Sequence, residues 1–258
     1  LTGCSSRVNQ FAFYPDTQNI IPAEKLPSGV DEIFITTEDN VRLQAYYLKN
    51  PSSERMLIFF HGNAGNICHR ISDIINLKKC GINVLAISYR GYGKSSGTPS
   101  EKGLYNDGAA ALDYAMQTLG YSVENIIIFG RSIGPTVAVH ISQHKDLAGL
   151  ILITPLTSAK AQAKAQGLGF LSFLAGNAFD NLSKISHIKC PLLVIHGTDD
   201  RVLSFSMGKE IFDHALGEKQ LVIIEGAGHN NLSQVDSEKY WGSIAEFIRK
   251  ANRLKVIS

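Results

Sequence analysis

Short apolar runs alternate along this chain with longer stretches whose apolar positions recur at helical spacing. The runs are "MLIFF" (residues 56 to 60), "NVLAIS" (83 to 88), "NIIIF" (125 to 129), "LAGLILI" (147 to 153), "PLLVIH" (191 to 196) and "QLVII" (220 to 224). Each has the length of a strand and hardly a polar residue, as strands buried on both faces do. Residues 66 to 79, 101 to 119, 136 to 144, 206 to 216 and 234 to 251 carry the helical pattern. Strand and helix in such alternation predict an α/β fold, a mostly parallel sheet with helices on both sides. Ahead of it, "EIFITTEDNVRLQAYYL" (32 to 48) alternates apolar and polar residues around Glu38-Asp39-Asn40, which predicts an antiparallel hairpin.

One interval breaks the rhythm. From Pro155 to Lys189 the chain is about twice as long as a single crossover helix requires. A helical cap insertion is expected there, at the carboxyl end of the sixth strand, the edge where open parallel sheets bind ligands. Within it, "GLGFLSFLAGNAF" (167 to 179) reads equally as core and as an acyl-chain pocket or membrane-facing lid, lined by Leu168, Phe170, Leu171 and Phe173.

A length of 258 residues suits one α/β domain, expected over residues 30 to 258. The formal net charge is +2 with both signs interspersed, which argues against a nucleic-acid partner. No stretch of eighteen uncharged apolar residues exists to span a bilayer. Leu1-Thr2-Gly3-Cys4 resembles a bacterial lipobox, in which cleavage before the cysteine leaves Cys4 as a diacylated amino terminus. Residues 1 to 29 then read as lipobox remnant and polar tether. The expected place is the bacterial cell envelope, lipid-anchored and facing the periplasm or the exterior. Cytoplasm is the alternative, because three further unpaired cysteines sit awkwardly in an oxidising compartment. Of these, Cys68 and Cys80 flank a predicted helix whose rise would hold them about 18 Å apart, beyond disulfide reach, and Cys190 is expected to pack.

The chemistry concentrates in three places. In "IIIFGRSIGPTVAVH" (126 to 140) a strand reverses into a helix within five residues, Gly130 to Gly134, with Ser132 at the reversal. A serine thrown out on such a turn takes strained backbone angles, and its neighbours two before and two after must be small. Pro135 suits the first helical turn. A serine hydroxyl needs a base, and the base an orienting acid. "HGTDDRV" (196 to 202) offers Asp199 and Asp200 at a strand's carboxyl end, and "GAGHN" (226 to 230) offers His229 before the last helix. Serine, then acid, then histidine is the order of a nucleophile-elbow hydrolase.

With "HGNAGN" and "YRGYGKSSG" added to "GRSIG", "HGTDDRV" and "GAGHN", the chain resembles the α/β-hydrolases from about residue 30 onward. It is similar in particular to the branch of membrane-associated serine hydrolases that includes protein depalmitoylases. The resemblance implies Ser132 as nucleophile, His229 as general base and, by motif spacing, Asp200 as the acid, with Asp199 the runner-up. It implies an oxyanion hole from the backbone N–H groups of Ile133 and Asn63, Ala64 being the fallback. It further implies hydrolysis of an ester or thioester with an apolar acyl group, without a cofactor. A peptidase or amidase of the same fold and a non-catalytic, membrane-tethered binding protein are the alternatives.

Other features read more plainly. His61 and His196 precede glycines at strand ends and are expected to shape loops, with no second ligand at metal spacing. His140 and His144, four apart on a helix, have no acidic or cysteine partner nearby in sequence, so no metal site is expected. "GYGKS" (91 to 95) lacks the earlier glycine of a phosphate loop, since position 88 is serine. Arg90 and Tyr92 are expected to hold a loop beside the active site.

Overall fold

Among the residues described by the computed structural model, 13 to 167 and 176 to 253, eight strands form one sheet. They are β1 (Asp31–Thr36), β2 (Arg42–Leu48), β3 (Met56–Phe60), β4 (Asn83–Ile87), β5 (Ile126–Arg131), β6 (Gly149–Ile153), β7 (Leu192–Gly197) and β8 (Lys219–Ile224). Their order across the sheet is β8-β7-β6-β5-β3-β4-β2-β1. β2 runs antiparallel to β1 and β4, and the other neighbours are parallel. The helices are α1 (Ile71–Lys79), α2 (Glu101–Asp113), α3 (Gly134–Ser142), α4 (Ala159–Ala165), α5 (Leu182–Ile185), α6 (Phe205–His214), α7 (Leu232–Val235) and α8 (Ser237–Arg253). This is the mostly parallel, two-sided architecture that the apolar pattern predicts.

Every residue of β3, β4 and β6 is buried, and alternate side chains serve opposite faces. Ile58, Leu85, Ile128 and Leu150 pack with Leu104 and Leu112 of α2, Val137 and Ile141 of α3, and Met207 and Ile211 of α6. Leu57, Val84, Ile127 and Ile151 pack instead with Ile74 and Leu77 of α1 and with Tyr240, Ile244 and Phe247 of α8. Burying one such side chain contributes about 1.5–3 kcal/mol, enough to offset the roughly 1–2 kcal/mol of backbone entropy that each residue loses. Two-sided burial is therefore what fixes these short runs as strands.

After β3 the chain crosses outward to β4, then returns to place β5 on the other side of β3. The order reverses between β3 and β5. A crevice opens at such a reversal, at the carboxyl ends of the strands, because the loops there depart toward opposite faces.

Four details depart from the pattern. β5 continues to Arg131, two residues beyond the apolar run, because it pairs with β6 as far as Ile153. The helix expected over 101 to 119 is α-helical only to Asp113 and ends in a π-helical turn, Tyr114–Thr118, before Gly120 at φ 79°. The last helix is broken at Asp236, whose Oδ1 accepts from the N–H of Lys239 (2.9 Å) and so caps α8. Finally, the described part of the expected tether is folded against the domain. Phe13 is buried, Tyr14–Pro15 pair in parallel with Ala64–Gly65, and Ile20, Ile21 and Leu26 rest on the core. These apolar anchors are spaced singly among polar residues and prolines, so no periodic pattern marks them.

Candidate active site

At the end of β5 the chain has to turn into α3 while still paired to β6. Ser132 takes the turn at φ 61°, a left-handed angle costing on the order of 1–2 kcal/mol for a residue with a side chain. Its N–H donates to the carbonyl of Ile153 (2.9 Å), which holds the turn to the sheet. The flanking glycines are sterically required. A Cβ on Gly130 would stand 2.5 Å from the backbone of Gly134, and one on Gly134 would strike the carbonyl of Phe60. α3 can therefore begin directly over β5, with Pro135 in its first turn. The hydroxyl of Ser132 is left half-buried at the reversal of strand order.

Two other strand ends complete the site. The loop after β8 carries His229, whose Nε2 is 2.9 Å from Ser132 Oγ and whose Nδ1 is 2.7 Å from Asp200 Oδ2. The loop after β7 carries Asp200, whose Oδ1 accepts from the N–H groups of Val202 (2.9 Å) and Leu203 (2.8 Å). Both oxygens of this buried carboxylate are thus occupied. Burial raises the pKa of Asp200, but hydrogen bonds from His196, His229 and the Leu203 N–H outweigh it and hold the group well below the usual carboxylate range. An ionised, fixed acceptor at Nδ1 requires the imidazole proton to sit there, leaving Nε2 as the acceptor facing the hydroxyl.

The loop after β3 lies against the nucleophile from the other side. A Cβ on Gly62 would come 3.4 Å from the Cβ of Ser132 and 3.9 Å from its Oγ. Asn63, the next residue, is anchored by its side chain, with Oδ1 accepting from the Tyr14 N–H and the Tyr92 hydroxyl (3.1 Å each). Ala64 lies in the short pairing with Tyr14. Ile133 stands at the amino end of α3, where helix N–H groups lack partners within the helix.

Residues 51–184 match a family model described as serine aminopeptidase, S33. The human α/β-hydrolase domain-containing protein 17C is 35% identical over 231 residues, covering 89% of this chain and 68% of that protein. The chain belongs to this family of α/β-hydrolases. Another relative, the Caenorhabditis elegans α/β-hydrolase domain-containing protein aho-3, is 38% identical over 183 residues, 70% of this chain, and the match spans about half of that protein, 54%. Among solved structures, the Pyrococcus furiosus esterase Pf2001 superposes with a TM-score of 0.78 at 24% identity, over 93% of this chain and 98% of that one, a likeness of fold. The stretch matched by the family model contains Asn63 and Ser132 and stops before Asp200 and His229.

Elsewhere the structure sorts the remaining candidates. Asp199 is exposed, bonded to Thr198 (3.1 Å), and stays out of the relay. His196 is buried against the acid, with Nε2 2.9 Å from the Leu203 carbonyl and 3.3 Å from Asp200 Oδ2. That contact escapes sequence reading, although the spacing of four residues between His196 and Asp200 is its only trace. His61 bonds its Nδ1 to the Gly62 carbonyl (2.6 Å), and complete burial pushes it down to about 3, so it stays neutral. Arg90 ties the hairpin to α2 by donating to Asp39 and Asp107. His140 stacks on Tyr105 (3.7 Å) and His144 on His187 (5.0 Å), and among the described residues no three metal-ligating side chains gather. Cys68, Cys80 and Cys190 carry free thiols. Leu168, Phe170, Leu171, Phe173 and Cys4 lie outside the described residues.

Proposed function

We propose that this hydrolase cleaves an ester or thioester bearing an apolar acyl group, through an acyl-enzyme on Ser132. The observation that carries the proposal is the unbroken relay from Ser132 Oγ to His229 and on to Asp200, set on a left-handed serine turn. Ser132 attacks the acyl carbon as His229 Nε2 takes its proton. Asp200, ionised and doubly anchored, holds the imidazole and stabilises its positive charge. The N–H groups of Ile133 and Asn63 meet the developing oxyanion. His229 then returns the proton to the departing alcohol or thiol, and a water repeats the sequence to free the acid.

The acyl preference is supported by the apolar character of the sequence "GLGFLSFLAGNAF" between β6 and β7. The description of the family model as serine aminopeptidase favours one second reading, an amidase. The relay could return a proton to an amine equally well, but an amide is the worse leaving group. Medium-chain acyl thioesters should be turned over with a kcat/KM about 100-fold or more above that for aminoacyl p-nitroanilides, a margin of roughly 3 kcal/mol. The reverse ranking in a plate assay would replace the first reading by the second.

We further propose that Cys4 carries a lipid and anchors the hydrolase to a bacterial membrane, on the strength of the lipobox-like Leu1-Thr2-Gly3-Cys4. In bacteria expressing the full precursor, Cys4→Ala should move the protein from the membrane to the soluble fraction. An identical distribution of the two forms would refute the anchor.

A further inference from the structure

The amino-terminal stretch makes more contact with the active-site loop than a tether needs. Tyr14–Pro15 run beside Ala64–Gly65, and the Asp16 N–H donates to the Gly65 carbonyl (3.3 Å). The Asp16 carbonyl accepts from Gly93 N–H (2.9 Å) and Asn66 Nδ2 (3.0 Å). Ahead of it, the buried ring of Phe13 meets Phe179, in the segment between β6 and β7, edge-on at 6.0 Å. Residues 13 to 16 therefore form a strap joining the loop after β3 to the segment around Phe179.

The strap's most specific contact is with Asn63. A backbone N–H can only donate, so the Asn63 atom it meets must be the amide oxygen, which fixes the orientation of that side chain. The Tyr92 hydroxyl donates to the same oxygen and fills its second lone pair. Burial raises the Tyr92 phenol far above its ordinary value, so it remains a donor throughout the physiological range. Its ring is held rigidly, edge-on to His61 (5.3 Å) and to Tyr89 (5.9 Å), and Tyr89 in turn donates to the His61 carbonyl (3.0 Å). Asn63 is thus clamped between a packed aromatic cluster and the strap, one residue from the glycine that abuts Ser132.

We infer that Tyr92 and the Tyr14 N–H are positioning groups for Asn63, so that the strap leading back toward the amino terminus sets the oxyanion hole of the domain. The inference rests on the serine-hydrolase reading above. An oxyanion donor is worth most when its direction is fixed before the reaction, because reorientation during the step consumes the stabilisation. Tyr92 is fully buried and the Tyr14 N–H is already bonded, so both act through Asn63. Their effect should therefore appear in the tetrahedral state and leave ground-state binding alone.

The test uses the full chain and an alkyl trifluoromethyl ketone, which forms a tetrahedral adduct with a reactive serine. Tyr92→Phe keeps the ring and removes the donor. It should lower kcat on a p-nitrophenyl ester about 10-fold with KM unchanged, and weaken trifluoromethyl ketone inhibition by the same factor. Tyr14→Pro, which removes the backbone donor, should act in the same direction. In an Asn63→Ala background Tyr92→Phe should cost nothing further, whereas a purely structural role would add its loss in full. Unchanged inhibition by the ketone in Tyr92→Phe, or full additivity with Asn63→Ala, overturns the inference. Should Asn63→Ala not fold, the ketone alone decides. Failure of the underlying reading looks different, since Ser132→Ala would then retain activity and the parent would ignore the ketone.

Discussion

Ser132→Ala should lower turnover of a p-nitrophenyl ester by a factor on the order of 10⁴ to 10⁶ while leaving the fold intact. The loss is large because the alcohol is the covalent participant, and the relay behind it has no other group to activate. His229 Nε2 and Asp200 remain in place but have nothing to deprotonate except water, which lacks the positioning that Oγ has at 2.9 Å. Stability should scarcely change. Alanine meets the same left-handed penalty as serine at φ 61°, and the anchoring bond to Ile153 comes from the backbone N–H, which the substitution keeps. Stopped assays with the variant, melting curves and labelling by a fluorophosphonate check the three parts. A variant that keeps near-parent activity refutes the nucleophile, and an inert serine in folded parent protein would favour a binding protein on a hydrolase fold.

Asp200→Asn should cost about 10⁴ in kcat, second only to the nucleophile. Its Oδ1 could still accept from Val202 and Leu203, so the loop has no reason to unfold. At Oδ2, however, an acceptor becomes an amide NH₂, which donates to His229 Nδ1 and drives the imidazole proton to Nε2. The proton then faces Ser132, where an acceptor is needed, and the charge that stabilises the imidazolium is lost as well. Asp199→Asn is the matched control, because that exposed carboxylate accepts from its neighbour Thr198 and faces away from the imidazole, so kcat should change less than about 3-fold, as surface changes away from a site do. Equal losses from both substitutions would remove Asp200 from the relay.

Part of this protein could be read before any coordinates. A run such as "MLIFF" has no polar side to show to solvent, and only a strand with helices above and below hides both its faces, so the parallel sheet followed from pattern alone. The turn at Ser132 was legible for a similar reason. Two glycines flanking one serine between a strand and a helix express a steric demand, met here by the approach of Gly130 to Gly134 and of Gly134 to Phe60. The boundaries were less legible, since pairing with β6 extends β5 through residues that are not apolar, and a single capping carboxylate at Asp236 breaks the last helix.

The order of serine, acid and histidine along the chain, the strand ends that carry them, and the two-sided burial of the sheet were determined by the sequence itself, because each depends on spacing between near neighbours. Motif spacing already pointed to Asp200 over Asp199, but the contact itself was decided by the tertiary structure, since neighbouring side chains in one turn leave it in different directions and the histidine arrives from 29 positions away. The same holds for the clamp on Asn63. Its two donors come from 49 positions before it and 29 after, and no periodicity links residues so far apart. They meet because the strap's apolar anchors and the reversal of strand order between β3 and β5 bring three separate loops to one edge, where hydrogen-bond donors without helix or sheet partners must find acceptors in each other.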